Sequence, residues 1–198
     1  MKLVIVGRDG VLCLEREGGL ASPDDWEALP GALDAVARLN HAGWQVAIAA
    51  TAPQLARGRL DMAAAIAIHA RMHKQLAAAG GRVDSVFFCP HAPEEGCNCR
   101  APEPGLLRQI GARYKLDLGQ VHAVGASASE VQAAHQAGCV AHLITSGRTV
   151  PAHEMAHLPA GYPPTTRVHA DLAAFATALI ATGERAQKHG PDTAPAAA

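Results

Sequence analysis

Leu3-Val4-Ile5-Val6-Gly7-Arg8-Asp9-Gly10-Val11 begins as a short, uninterrupted apolar run and is stopped by glycine and polar residues. A run that is apolar at every position reads as a strand buried on both faces, as in a parallel sheet. Working outward, the same unit recurs with helices between its copies. Pro30 opens an amphipathic helix with Leu33, Val36, Ala37 and Leu39 at helical spacing, closed by Gly43. Trp44 to Ala50 is the next strand, followed by a loop and an alanine-rich helix from Asp61 to Ala79 that ends at Gly80-Gly81. Val83 to Phe88 is a third strand, Pro104 to Tyr114 a helix and Val121 to Val124 a strand. Ser129 to Ala137 is a helix stopped by Gly138, and Val140 to Thr145 a further strand. The stretch after Gly147, rich in proline, histidine and glycine, reads as loop before a last helix from Asp171 to Arg185. This alternation predicts an α/β fold, an open parallel sheet with helices on both faces and ligand chemistry at the carboxyl ends of the strands.

A chain of 198 residues suits a single domain, expected over residues 1–187, with residues 188–198 as a disordered tail. A composition that is 49% hydrophobic and 18% charged can bury a core, and a net charge of -1 gives no electrostatic footprint for nucleic acid or an anionic membrane. No apolar run approaches the roughly 20 residues of a membrane span, and Lys2 to Val6 is too short for a signal peptide. The expectation is a cytoplasmic monomer. The five cysteines are odd in number and three crowd between Cys89 and Cys99, which argues for metal ligation in a reducing compartment over a disulfide framework. Cys13 and Cys139 remain as buried bystanders.

The stretch Cys89-Pro90-His91-Ala92-Pro93-Glu94-Glu95-Gly96-Cys97-Asn98-Cys99 carries the ligand set of a tetrahedral zinc: Cys89, His91, Cys97 and Cys99. Pro90 and Pro93 stiffen the first arm, and Gly96 permits the turn that returns the second. Four protein donors leave no open coordination position, so the zinc is expected to be structural, pinning a loop.

Gly7-Arg8-Asp9-Gly10-Val11 after the first strand looks like the Asp-x-Asp-Gly-Val motif of the haloacid dehalogenase (HAD) superfamily. Taken with the zinc segment, the chain resembles the D-glycero-D-manno-heptose 1,7-bisphosphate 7-phosphatases and, more distantly, the histidinol-phosphate phosphatases. The resemblance runs from Met1 to Ile180 and includes Ser22-Pro23-Asp24-Asp25-Trp26, Leu29-Pro30-Gly31, Ala56-Arg57-Gly58 and Gln132-Ala133-Ala134. It implies a HAD-like Rossmannoid sheet with a zinc loop and no large cap domain, and a magnesium-dependent phosphatase working through an aspartyl phosphate. Carried over position by position, the resemblance leaves Asp9 as the general acid, while Gly7 stands where the family has its nucleophile. With Ala56-Arg57-Gly58 fixing the register, Ala50 replaces the phosphate-binding hydroxyl, and Thr51 follows one place late. Arg100 is kept but Ala101 replaces the lysine behind it, and Ala126 replaces a magnesium-binding aspartate, with Glu130 keeping a carboxylate four residues on. The resemblance also places Arg57 and Arg100 beside the phosphate pocket, where guanidinium groups either still bind an anion or have a purely structural or solvated role; Arg57, Arg100 and Thr51 are the expected substrate-binding residues.

Four losses at four motifs point to a retained fold without the family's catalysis, since removing a covalent nucleophile or its electrostatic partners commonly costs several powers of ten in rate. The expectation is a zinc protein that acts by binding a phosphorylated sugar or a protein partner, with magnesium not bound. An active heptose bisphosphate phosphatase of the lipopolysaccharide precursor route, using an atypical site in which water or Asp9 replaces the nucleophile, is the alternative. A purely structural interaction module is a third. Of the remaining histidines, His153-Glu154-Met155-Ala156-His157 has the letters of a metalloprotease motif but sits between Pro151 and Pro159, outside a helical context, and reads as solvated. His135 and His142 show no metal-ligand spacing, and His69 and His73 read as a surface pair on the long helix.

Overall fold

The computed structural model describes residues 1–146 and 160–188. Six strands form one sheet: β1 (Lys2–Gly7), β2 (Trp44–Thr51), β3 (Ser85–Cys89), β4 (His122–Gly125), β5 (Val140–Ile144) and β6 (Arg167–His169). They lie in the order β3-β2-β1-β4-β5-β6, and every pairing is parallel. The helices are α1 (Ala32–His41), α2 (Pro53–Ala56), α3 (Met62–Ala78), α4 (Gly105–Tyr114), α5 (Ala128–Ala137) and α6 (Leu172–Lys188). Chain direction across the sheet reverses between β1 and β4, the switch point at which ligands bind in open α/β sheets. His153 and His157, like the tail from residue 189, lie outside the described residues.

Strand β1 shows why the continuous apolar run is needed. Val4 and Val6 face one layer with Val46 and Ile48, packing on Val36 and Leu39 of α1, Ile68 and Met72 of α3 and Phe175 of α6. Leu3 and Ile5 face the other with Ala123 and Leu143, against Leu107 and Ile110 of α4 and Val131 of α5. Each fully buried aliphatic or aromatic side chain is worth about 1.5–3 kcal/mol relative to exposure. Local signals start and stop the helices: the Asp61 carboxylate accepts from the Ala64 N–H at 2.7 Å to cap α3, and Gly138, at φ 88°, takes the left-handed conformation that ends α5. Among the described residues no helix is long and apolar enough to cross a membrane.

Two expectations change. The stretch assigned to loop contains β6, which extends the sheet through Leu143↔Val168; three residues with an exposed valine carry no apolar periodicity to announce it. The histidine pair on α3 divides: His73 is exposed, whereas His69 borders the face that buries Ile68 and Met72, its ring 6.1 Å from that of Phe88. Burial, reinforced by the Arg8 charge, pushes His69 down to about 4.

The sheet also assembles a row of three imidazoles. His122 Nδ1 lies 2.9 Å from His142 Nε2, and His142 Nδ1 lies 2.9 Å from His169 Nε2. Parallel register places them: Val124 pairs with His142 and Ile144 with His169. Phe175 packs edge-on against His142 and His169, and Trp44 against His122. Burial pushes His142 down to about 3 and His122 to about 4.

Candidate functional site

Strand β3 ends at Cys89 and feeds a short loop whose turn at Pro93–Glu95 is closed by Gly96 in the left-handed conformation, φ 58°. That reversal returns Cys97 and Cys99 to Cys89 and His91, and the four donor atoms lie within 4.8 Å of one another. Cys89 Sγ is 3.5 Å from Cys97 Sγ and 3.0 Å from Cys99 Sγ, and His91 Nδ1 is 3.2 Å from Cys99 Sγ. A tetrahedral zinc with bonds of about 2.3 Å to sulfur needs donors roughly 3.5–3.8 Å apart, so the set fits such an ion after a slight expansion. Burial pushes the Cys89 thiol up to about 12; at Cys97 burial opposes ionisation, but hydrogen bonds from Cys89, Cys99 and backbone N–H groups bring it down to about 7. Cys97 is thus the most readily ionised thiol of the group, and the thiolate is the form a metal captures. All four predicted ligands come together.

Beside this loop, at the carboxyl ends of β1, β2 and β4, a cavity of about 350 Å3 is lined by Arg8, Asp9, Thr51, Arg57, Arg100 and Glu130 among others. The turn after β1 fixes its floor. Gly10 adopts φ 74°, and its N–H donates to the Cys13 carbonyl at 2.8 Å while Leu12 and Cys13 donate to that of Arg8. A Cβ on Gly10 would meet that of Ala126 at 2.7 Å, so both φ and space require glycine there. Asp9 is held by the buried Arg8 in a two-pronged ion pair, Nε to Oδ1 at 3.0 Å and Nη2 to Oδ2 at 2.9 Å. Arg8 is a site residue beyond those expected, and its only signal in the sequence is an arginine next to the acid.

At the mouth, Arg57 contacts Glu94 of the metal loop at 3.1 Å, an exposed pair of the kind worth about 0–1 kcal/mol and easily exchanged for a ligand. Arg100 follows Cys99 directly, and its Nη1 is buried without a hydrogen-bond partner, an unmet need that an anion would satisfy. Glu130 sits in the first turn of α5, where Oε2 accepts from the Ala126 and Ser127 N–H groups at 2.9 and 3.0 Å and from the Ser127 hydroxyl at 2.8 Å. Burial raises its carboxyl above the usual range, the hydrogen bonds oppose this, and the Asp9 charge adds to it. The predicted residues Asp9, Thr51, Arg57 and Arg100 therefore share one cavity, walled also by Ala50, Ala101 and Ala126, while Gly7 lines a smaller crevice that shares Ala50 and Ala101 with it. Those four positions supply neither a nucleophile nor a side-chain ligand. Among the described residues the one group of three or more His, Cys, Asp or Glu able to hold a metal is the Cys89–Cys99 set. Of the carboxylates beside the cavity floor, Asp9 is paired with Arg8 and Glu130 has Oε2 held by the start of α5, so these side chains leave few free oxygen donors for a magnesium.

A parallel sheet of this order, an Asp-Gly turn after its first strand and an arginine-rimmed cavity at the strand ends define the class: a hydrolase-type domain of the HAD superfamily. The family described as HAD-hydrolase-like matches residues 98–175. Over 180 residues the chain is 48% identical to a D-glycero-beta-D-manno-heptose-1,7-bisphosphate 7-phosphatase from Bordetella bronchiseptica, covering 91% of this chain and 98% of that protein. A protein of the same name from Pseudomonas aeruginosa is 40% identical over 178 residues, covering 90% and 97%. The crystal structure of the D,D-heptose 1,7-bisphosphate phosphatase from B. bronchiseptica, complexed with magnesium and phosphate, superposes with a TM-score of 0.82 at 47% identity, covering 92% of this chain and 99% of that one. The chain belongs to the heptose bisphosphate phosphatase family.

Proposed function

We propose that the cavity binds a phosphorylated sugar of the class its relatives are named for, with Arg57 and Arg100 taking the phosphate, and that in this chain the family's covalent route is closed. The carrying observation is the combination of an arginine-rimmed cavity with Gly7, in the crevice beside it, at the nucleophile's place, since glycine has no group to attack phosphorus. Zinc at Cys89, His91, Cys97 and Cys99 has a positioning role: it fixes the loop that presents Glu94 to Arg57 and carries Arg100 to the cavity. Binding proceeds without magnesium, and in the compartment expected of such a metabolite protein, the cytoplasm.

A second reading is hydrolysis of heptose 1,7-bisphosphate by an atypical site. The names of the relatives favour it, and they support it more strongly than they support a loss of activity. Within the cavity it would fall to Asp9 and Glu130, the carboxyl groups that persist, to move protons for a water nucleophile. A thermal-shift screen of heptose phosphates and other phosphosugars, with and without magnesium, tests binding: a ligand at about 100 times its Kd adds about 2.7 kcal/mol of apparent stability. A shift that Arg100→Ala removes supports the phosphosugar reading. No shift with any phosphosugar overturns it in favour of an interaction module.

A further inference from the structure

The polar groups missing from the floor have not left an empty polar pocket. Gly7, Ala49, Ala101, Ala123, Leu106 and Leu107 help wall a crevice of about 60 Å3 that shares Ala49, Ala50, Ala101 and Glu130 with the lining of the main cavity. A Cβ built on Gly7 would stand 3.3 Å from Glu130 Oε1, so this carboxyl, arriving from α5, reaches the space into which an aspartate on β1 would extend. Its Oε2 is clamped by the start of α5, which fixes the group and leaves Oε1 at the gap. Cationic help is distributed unevenly. At the floor, Arg8 Nε and Nη2 are directed to Asp9, with Nη2 also 3.4 Å from the Thr51 carbonyl. At the mouth, Arg100 Nη1 has no partner and Arg57 has an exposed, exchangeable one.

We propose that Glu130 has taken over the floor of the cavity and makes it selective for a singly phosphorylated sugar, whose phosphate lies on Arg57 and Arg100 while an uncharged hydroxyl or methylene end enters the alanine-lined crevice. This rests on the reading of the cavity as a phosphosugar site. A bisphosphate of the same sugar would press its second phosphoryl group against Glu130 and an apolar wall, with neither lysine nor metal to neutralise it. Like charges brought together in a desolvated site discriminate strongly between otherwise equal ligands. A sugar hydroxyl, in contrast, can donate to Oε1 or accept from a protonated carboxyl.

The test is calorimetric titration of the whole protein with D-glycero-D-manno-heptose 1-phosphate and with the 1,7-bisphosphate, each with magnesium added and in magnesium-free buffer without chelator, while free phosphate is monitored. The monophosphate is expected to bind about ten-fold or more tightly, whether or not magnesium is present, and Glu130→Ala to bring the two ligands within about three-fold. Equal or tighter binding of the bisphosphate by the unmodified protein overturns the inference while leaving the phosphosugar reading standing, and this comparison needs no variant to fold. A preference that survives intact in a folded Glu130→Ala removes Glu130 from the account. Binding of neither sugar, or release of phosphate from the bisphosphate, overturns the binding-only reading and the inference with it.

Discussion

Acidification should unlock the histidine row at the β4-β5-β6 side of the sheet, and His142 sets the size of the effect. It is 3% exposed, both ring nitrogens face other imidazoles, and its pKa is pushed down to about 3 by burial, then by His122, His169 and Arg167. A base whose folded pKa is depressed stays neutral in the native state while the unfolded chain takes up a proton below about 6.5, so stability is present above that pH and falls as pH drops toward 3. From about pH 7 to about pH 5 the loss assigned to His142 is about 2 kcal/mol, from 1.36 kcal/mol per pH unit over about 1.5 units. In a domain of this size that corresponds to about 4–8 °C in Tm. His122 and His169 act in the same direction, but both are only half-buried and solvent screens their part. The assay is denaturant unfolding of the wild type and of His142→Gln at the two pH values. Comparing the pH difference within each protein cancels the fixed cost of the substitution and the shared titration of carboxylates and metal ligands. The variant should lose about 2 kcal/mol less on acidification than the wild type. Equal losses in both would refute the assignment.

Metal analysis of the purified chain should give about one zinc per molecule, and Cys97→Ser or a strong chelator should lower Tm and weaken phosphosugar binding together, because the loop carrying Arg100 is released; a metal-free protein of unchanged Tm would contradict this. Gly10→Ala should cost about 1–3 kcal/mol in a denaturant melt, since φ 74° is unfavourable for alanine and the new methyl would meet Ala126 at 2.7 Å; a neutral substitution would show that the turn can relax. Gly7→Asp alone should not create a phosphatase in a phosphate-release assay. The new side chain would start 3.3 Å from Glu130 Oε1, and Ala50, Ala101 and Ala126 still supply no hydroxyl, lysine or magnesium ligand; phosphate release by this variant would show that the nucleophile was the sole deficit.

The strands that build the sheet centre were legible because parallel strands buried on both faces must be apolar throughout, as Val4 and Val6 on one side and Leu3 and Ile5 on the other require. Helix ends were legible where a residue has one physical use, as with Asp61 at the start of α3 and Gly138 after α5. The four sulfur and nitrogen donors were legible because their chelate is local in sequence. What escaped depends on long-range register or on short, polar elements. Strand β6 is three residues at the edge of the sheet, and α2 is a single turn. The imidazole row joins residues 20 and 27 positions apart in sequence, and no spacing along the chain reveals that neighbouring parallel strands will align them. Nor could the sequence show that Glu130, one helix away, reaches the gap at Gly7, because that approach is set by how α5 packs beside β1 and β4.

The central claim is that the family's cavity persists while its covalent chemistry does not. It is tested most directly by measuring phosphate released from D-glycero-D-manno-heptose 1,7-bisphosphate by the unmodified, zinc-loaded protein in the presence of magnesium, against a buffer control. The account predicts release indistinguishable from the control, whereas turnover above it would contradict the account and establish hydrolysis by a site without the aspartate nucleophile.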